Sequence, residues 1–593
     1  MAEYQYKPLG RSINEIRLIR LIPNAFPFSL DSCSIQCEMI VASLDEAPEY
    51  EALSYTWGGA FELCYISVDG LMFRVRKNLE IALRQLQCRT TSRVLWIDAI
   101  CIDQTNEGER SEQVAKMRTI YNHASNVIVW LGENSESSEL AFSLLGELHG
   151  QIHNEEAIRE IIMSPRNLQH MEALSMLFSR DYWWRVWVIQ EVNFARSISV
   201  HCGTSTMNWK EMIAVQDILR KKYGLLLDHL SSSYWPLREL HQSVQFRGPQ
   251  SLMLDRMGSG SRVVDLFDAL MMHRRKHSTD PRDRIYALIG LTAARDDPEF
   301  VIDYSLSVRQ VYINTANSVV RRCGHLDVIC AKTRGIENFD LPSWVPNWAF
   351  TGSNRPIPFR HATKQSVYSA SATLKADAHI SCADGILKAK GICIGSVNAI
   401  GPLSAMNSMH DYRHAIKVIN TWHIFLTANL GRDIEKSEKF SRLLLGEIIE
   451  PEDLFGHTIS SFLQYFLGRI AKYGRHIWPD IPMDSLLMRF ADSRIESEGM
   501  VHQVRCWIEV ISQMLVKRRL FITTEGDFGL VEESIMEGDV VCILYGCSIP
   551  VVLRKVNDHY IYISDACVAG YMFGKAIEEL KQGKFQTQIF EVH

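Results

Sequence analysis

Two short apolar runs, VLWI (94–97) and VIVWL (127–131), constrain the fold more than any other feature of the chain. Runs of four or five apolar residues bounded by polar segments read as buried strands rather than helices. Between them Val114, Met117, Tyr121 and Ala124 recur at helical spacing and mark one face of a helix. Upstream, Leu79, Ala82, Leu83 and Leu86 do the same. Earlier still, Ile66 and Val68 lead into Asp69-Gly70, and Phe73 and Val75 follow, the pattern of a strand pair around a tight turn. Strands alternating with helices predict an α/β region to about residue 215, with a parallel, helix-covered sheet.

Beyond it the pattern changes. Residues 216–380 read as mainly helical with long loops. QFRGPQSLMLDRMGSGSR (245–262) is predicted to be an exposed loop, and LPSWVPNWAFTGSNRPIP (341–358) an irregular stretch. From Ile386, ILKAKGICIGSV alternates like a strand. Helical periodicity dominates from about 405 to 518. LFITT, VVCILY, PVVLRK and YIYIS then follow, separated by Gly526, Gly538 and Gly546. They predict a small antiparallel unit that packs back onto strand 386–397. The expected division is 1–215, 216–380 and 381–593, the last an α+β region.

With 47% hydrophobic and 22% charged residues, 593 residues can bury large cores without disulfides, and wholesale disorder is excluded. Net charge is −6, so no global basic excess drives binding to nucleic acid or anionic membranes. The N-terminus lacks the basic start and apolar run of a signal peptide. No apolar run is long enough to cross a bilayer. The 14 cysteines are scattered and form no repeated zinc-type pair, so buried thiols in a reducing, cytoplasmic setting are expected, without metal or cofactor.

Three places carry more chemistry than their surroundings. In YEALSYTWGG (50–59), Tyr55, Trp57, Gly58 and Gly59 sit together: glycine lets a ligand approach the backbone, and the aromatics can wall a pocket. An aromatic strand ending in a turn gives the same sequence. In LWIDAICIDQTNEGER (95–110), Asp98 follows directly on a strand and Asp103 lies just beyond. The carboxyl ends of parallel strands face the ligand crevice, where carboxylates can hold ribose hydroxyls, a metal or a proton. Capping of a helix start is the competing role. In SRDYWWRVWVIQEV (179–192), Trp183, Trp184 and Trp187 cluster with Arg185, and Glu191 lies four residues past Trp187. An acid desolvated against aromatic walls acquires a raised pKa suited to acid–base work. An acid paired with arginine under a Trp-rich core is the alternative. His273 and His277 could share a helix face, but beside Arg274, Arg275 and Lys276 a solvated or salt-bridged face is expected. Walker, dinucleotide-fold, nucleophile-elbow and zinc-protease signatures are absent from the sequence.

In order and spacing, these motifs resemble the fungal heterokaryon incompatibility (HET) domain. YKPL (6–9), EIRLIRL (15–21) and YEALSYTWG open the match, ISVDG (66–70) and NLEIAL (78–83) continue it, and RDYWWRVWVIQEV closes it. TDPRDRIYALIGL (279–291), DYSLSVRQVY (303–312) and LPSWVPNW (341–348) resemble the helical region of stand-alone HET proteins. Residues 520–575 resemble their C-terminal unit, with departures at GLVEE (529–533) and ISDACVAGYM (563–572).

The resemblance implies a TIR-like α/β domain acting in non-self recognition and the death of incompatible fusion cells. Some TIR domains cleave NAD through a glutamate, and by that analogy Glu191 is the acid that stabilises a ribosyl cation. Asp98 and Asp103 would orient it or a ligand's hydroxyls. Arg185 would hold an anion or neutralise an acid, and Tyr55, Trp57, Gly58 and Trp187 would complete the ligand site. Two other functions fit the sequence. One is a HET-like scaffold recruited to fungal secondary metabolism as a cofactor-free cyclase or isomerase of the Diels–Alderase type. The other is a binding module that signals through homotypic assembly. The expected partners are a small-molecule ligand or substrate and, beyond it, further copies of the chain or other incompatibility proteins.

Overall fold

The structure, a computed structural model, describes residues 3–10, 14–23, 35–46, 48–59, 61–227, 244, 247–253, 264–298, 300–332, 339–350, 367–404, 412–431, 434–447, 511–512 and 514–593. They form two units, residues 1–307 and 308–593.

The first unit is built on one mixed sheet. Its strands are β1 (Glu15–Leu21), β2 (Gln36–Ser43), β3 (Glu51–Tyr55), β4 (Leu63–Val68), β5 (Leu71–Arg76), β6 (Arg93–Trp96), β7 (Asn126–Trp130), β8 (Ile198–Cys202) and β9 (Ser205–Asn208). They lie in the order β5-β4-β2-β1-β6-β3-β7-β8-β9. β6, β3, β7 and β8 are mutually parallel. The last four residues of β3 and of β7 are buried, as parallel strands covered on both faces require. The expected parallel sheet is therefore the heart of a larger mixed one. β1 runs antiparallel to β2 and β6, β5 to β4, and β9 to β8. Two of these pairs are joined by tight turns, Asp69-Gly70 between β4 and β5 and Gly203-Thr204 between β8 and β9, and tight turns give antiparallel neighbours.

Helices α1 (Lys77–Leu86), α2 (Asp98–Cys101) and α3 (Glu107–His123) follow β5 and β6. α1 buries Leu79, Ala82, Leu83 and Leu86, the face its periodicity marks. α3 starts at Asn106, whose side chain accepts the Glu109 N–H, and buries Val114, Met117, Ile120 and Tyr121. α4 (Glu136–Gly150), α5 (Glu155–Met163), α6 (Leu168–Leu177), α7 (Val188–Asn193) and α8 (Trp209–Leu227) follow β7 and flank β8 and β9. Trp96, Trp130, Trp183, Tyr121 and Tyr182 are fully buried. Among the described residues no helix is long and apolar enough to cross a membrane.

Two local expectations differ from the structure. His273 caps helix Leu266–Met272, and that helix stops before it could carry His277. Lys276 is buried rather than solvated, because its ammonium donates to the Trp183 carbonyl (2.6 Å) and the Ser251 hydroxyl (2.9 Å). Pro249 and Gln250, expected in an exposed loop, are buried, with the Gln250 N–H on the Gln216 side chain at 2.9 Å. Residues 245–246, 254–262 and 351–358 and most of the periodic stretch 405–518 lie outside the described residues. Helices Tyr412–Leu430 and Ile434–Leu444 fall within the described part of that stretch.

In the second unit β10 (Ala378–Ser381) and the long β11 (Ile386–Leu403) precede β12 (Arg518–Thr523), β13 (Phe528–Glu532), β14 (Val540–Leu544), β15 (Val551–Val556), β16 (His559–Val568) and β17 (Thr587–Val592). The path β11-β12-β13-β16-β15-β14 returns to β11, so the sheet closes on itself. The tail thus packs back on strand 386–397 as its sequence implies. Closure leaves these six strands without a free edge between them. Ile392, Ile394, Val397, Phe521, Val531, Val541, Ile543, Val552, Ile563 and Val568 fill the core. Gly529 is needed for close approach: a Cβ there would lie 2.4 Å from the Cys567 carbonyl and 2.9 Å from the Phe521 ring. Gly529→Ala is expected to destabilise this unit by about 1–3 kcal/mol. Thermal unfolding checks this; an unchanged midpoint would show that the strands can part at no cost.

Candidate functional site

The carboxyl ends of β3 and β6 bring the site together. β3 ends in Ser54 and Tyr55, and β6 hands over through Ile97 to Asp98, the first residue of α2. α7 packs against β3 and carries Glu191, which is 3% exposed.

Ser54 lies at the centre. Its hydroxyl hydrogen-bonds the Glu191 carboxylate and, at 2.7 Å, the Tyr182 hydroxyl. Burial pushes the Glu191 carboxyl up to about 7; the Arg185 guanidinium and the Ser54 hydroxyl pull it down, and the Asp98 charge pushes it back up. Asp98 is half-buried and accepts the Trp57 indole N–H at 2.8 Å and the Ala99 N–H at 2.8 Å. Burial raises its pKa too, opposed by Arg185, the two N–H donors and Arg76. Arg185 donates to the Tyr55 carbonyl and lies in the field of both acids. An arginine that stays charged beside two acids of raised pKa keeps one of them able to ionise near neutrality.

The rim is held from α1. Asn78 donates to the Thr56 carbonyl (2.6 Å) and hydroxyl (3.1 Å), and accepts the Trp130 indole N–H (3.1 Å). Arg76 donates to the Gly58 carbonyl at 2.9 Å and lies 5.1 Å from the Trp57 ring centre. Gly58 has φ +75°, a left-handed conformation that glycine adopts without strain. The site therefore grades inward. Gly58 and Gly59 are exposed, Trp57, Asp98 and Arg185 are half-buried, and Tyr55 and Glu191 are buried.

Among the residues singled out in sequence, Tyr55, Trp57, Gly58, Asp98, Arg185 and Glu191 belong to this constellation. Asp103 stands apart, its carboxylate taking the N–H (3.0 Å) and hydroxyl (2.7 Å) of Thr105 in a local turn. Trp187 is the residue before α7, and its indole hydrogen-bonds Asp283. Asp283 also accepts the Tyr304 hydroxyl at 2.6 Å; burial raises its carboxyl to about 6 against the pull of those two donors. Sequence reasoning missed Ser54, Tyr182, Asn78 and Asp283. A serine inside the apolar strand EALSY was the available signal for the first, since buried hydroxyls need partners.

The sequence model of the Heterokaryon incompatibility protein (HET) family matches residues 50–191, a span that starts at β3 and ends on Glu191. The Het-6 beta-barrel domain model matches residues 496–586, which contain β12 to β16. Heterokaryon incompatibility protein 6, OR allele, of Neurospora crassa is 24% identical, over 98% of this chain and 97% of the relative. No solved structure matches. The chain is thus similar to heterokaryon incompatibility (HET) proteins, with the HET match lying around the Ser54–Glu191–Asp98 site and the Het-6 barrel match in its second unit.

Proposed function

We propose that this protein acts in fungal non-self recognition and the cell death that follows incompatible fusion, with residues 1–215 as its effector domain. We infer further that this domain hydrolyses NAD, using Glu191. The observation that carries this reading is a buried carboxyl with a pKa of about 7, seated on Ser54 at the carboxyl ends of parallel strands. In the reaction the glycosidic C–N bond breaks and its electron pair stays on the nicotinamide nitrogen. Water adds to the ribosyl carbon and loses a proton, leaving ADP-ribose. Ionised Glu191 stabilises the positive charge that develops on the ribose. Asp98 and Trp57, at the half-buried level, orient the sugar hydroxyls and cover the ring. Arg185 holds the dinucleotide's anionic part or balances the two acids. Other incompatibility proteins or further copies of the chain are the partners through which recognition would reach this site.

The test is induced expression in a fungal host, wild type against Glu191→Gln at matched protein level, with cellular NAD measured. Wild type is expected to arrest growth and deplete NAD, and the variant to lower NAD turnover by about 100-fold or more. Growth arrest with intact NAD would remove the hydrolase reading and keep the effector. Healthy growth with both proteins would remove the autonomous effector and favour small-molecule chemistry of another kind.

A further inference from the structure

Cys393 and Cys542 face each other across the seam that closes the second unit. β11 and β14 are antiparallel, and their register sets Cys393 directly opposite Cys542. Directly opposed residues in such a pair have Cα atoms about 4.5–5.5 Å apart, inside the span a disulfide bridges. The two thiols hydrogen-bond one another. They differ in access: Cys393 is partly exposed and Cys542 is buried. A register shift follows at once, between Cys393 and Gly395, so the pair sits where the long strand is irregular.

We propose that Cys393 and Cys542 form a peroxide-responsive dithiol, with Cys393 as the attacking thiol and Cys542 as the resolving one. The Cys393 thiolate attacks one oxygen of hydrogen peroxide. An S–O bond forms, the O–O bond breaks, and the released hydroxide takes a proton to become water. The Cys542 sulfur then attacks the sulfur of the Cys393 sulfenic acid. The S–S bond forms, the S–O bond breaks, and the Cys542 proton leaves with the hydroxyl as a second water. Two thiols lose two electrons in all, and one peroxide becomes two waters.

The local chemistry favours this order. The Cys542 thiol lowers the Cys393 pKa to about 7, against burial and the Glu525 charge, so a large thiolate fraction exists at neutral pH. Tyr560 of β16 is the other titratable group in the field of both sulfurs. Burial holds Cys542 well above the usual thiol range, which keeps its proton available for the second step. Cys330 and Cys547 also form a hydrogen-bonded thiol pair, but both are buried and Cys330 is pushed far up. They supply an internal control. The new bond would fasten β11 to β14, the pairing that completes the ring of strands.

The experiment treats the reduced full-length protein with hydrogen peroxide at pH 7, quenches with acid, alkylates, and maps the linked peptides by mass spectrometry. A Cys393–Cys542 disulfide, reversed by dithiothreitol, is expected, with a melting midpoint raised by about 5 °C. Cys393 should alkylate about ten-fold faster than Cys330 or Cys547, with a rate that climbs through pH 7. Cys542→Ser should stop the reaction at a sulfenic acid on Cys393 that dimedone traps, and Cys393→Ser should leave Cys542 unmodified. Linkage elsewhere with Cys393 still reduced, or alkylation of Cys393 no faster than that of Cys547, would overturn the proposal.

Discussion

Replacing Glu109 with alanine is expected to cost about 3–5 kcal/mol of unfolding free energy. Arg17 lies on β1 and is 1% exposed. Its guanidinium meets the Glu109 carboxylate with two bonds, of 2.5 and 3.0 Å, and donates further to the carbonyls of Lys7 (2.7 Å) and Cys101 (3.1 Å). Glu109 in turn accepts the Asp103 N–H at 2.8 Å. Arginine does not shed its proton, so removal of the acid leaves a buried charge rather than a neutral group. The same pair removed together, as Arg17→Met with Glu109→Leu, should recover most of the loss, because the cost lies in the unpaired charge. Chemical denaturation followed by tryptophan fluorescence measures both variants. Hydrogen exchange should show the single variant loosening peptides from β1 and from 98–110, the segment that carries Asp98. A loss below about 1 kcal/mol would show that water reaches Arg17 in the folded protein and takes over from Glu109.

This pair also shows what the sequence made legible. The parallel heart of the sheet was readable because VLWI and VIVWL are too apolar and too short to be anything but buried strands. The helix between them was readable because its apolar face recurs every three to four residues. Of the antiparallel flanks the β4–β5 pair was readable at its Asp69-Gly70 turn, but β2 was not, because its burial follows no clean period. Asp98 and Glu191 were legible as acids in aromatic company, but what joins them was not. Ser54 and Tyr182 bridge 128 residues, a separation that no local pattern encodes. Trp187 was expected to wall Glu191 from four residues away. Its indole N–H needs an acceptor when it is drawn inward, and it finds Asp283, nearly a hundred residues on in chain order. In the second unit the strands were readable from their runs and glycines, but closure depends on β11 pairing with both β12 and β14, which only the fold reveals.

Glu191→Gln is expected to stabilise the protein by about 3 kcal/mol at pH 8 and to leave stability unchanged near pH 4. The carboxyl titrates near 7 when folded and near its ordinary 4.5 when unfolded. Below about pH 4.5 both states hold the proton, and the neutral acid contributes its full stabilisation. As pH rises from about 4.5 to about 7, the unfolded chain ionises first and that contribution is lost. Above about 7 both states are ionised and the penalty levels off. Glutamine keeps the size of the side chain and an oxygen for the Ser54 hydroxyl, and it never ionises. Asp98 remains to balance Arg185 in the variant. Urea unfolding of both proteins from pH 4 to pH 8 reads the difference directly. Parallel curves would mean that the wild-type carboxyl ionises in the fold as it does in water, and that burial does not perturb it. Paired with the NAD measurement, this result separates two roles. A structural acid has no reason to remain where its amide is more stable by this margin. A variant that is both sturdier and inactive places the value of Glu191 in its charge, at a fixed point beneath the half-buried layer of Trp57, Asp98 and Arg185.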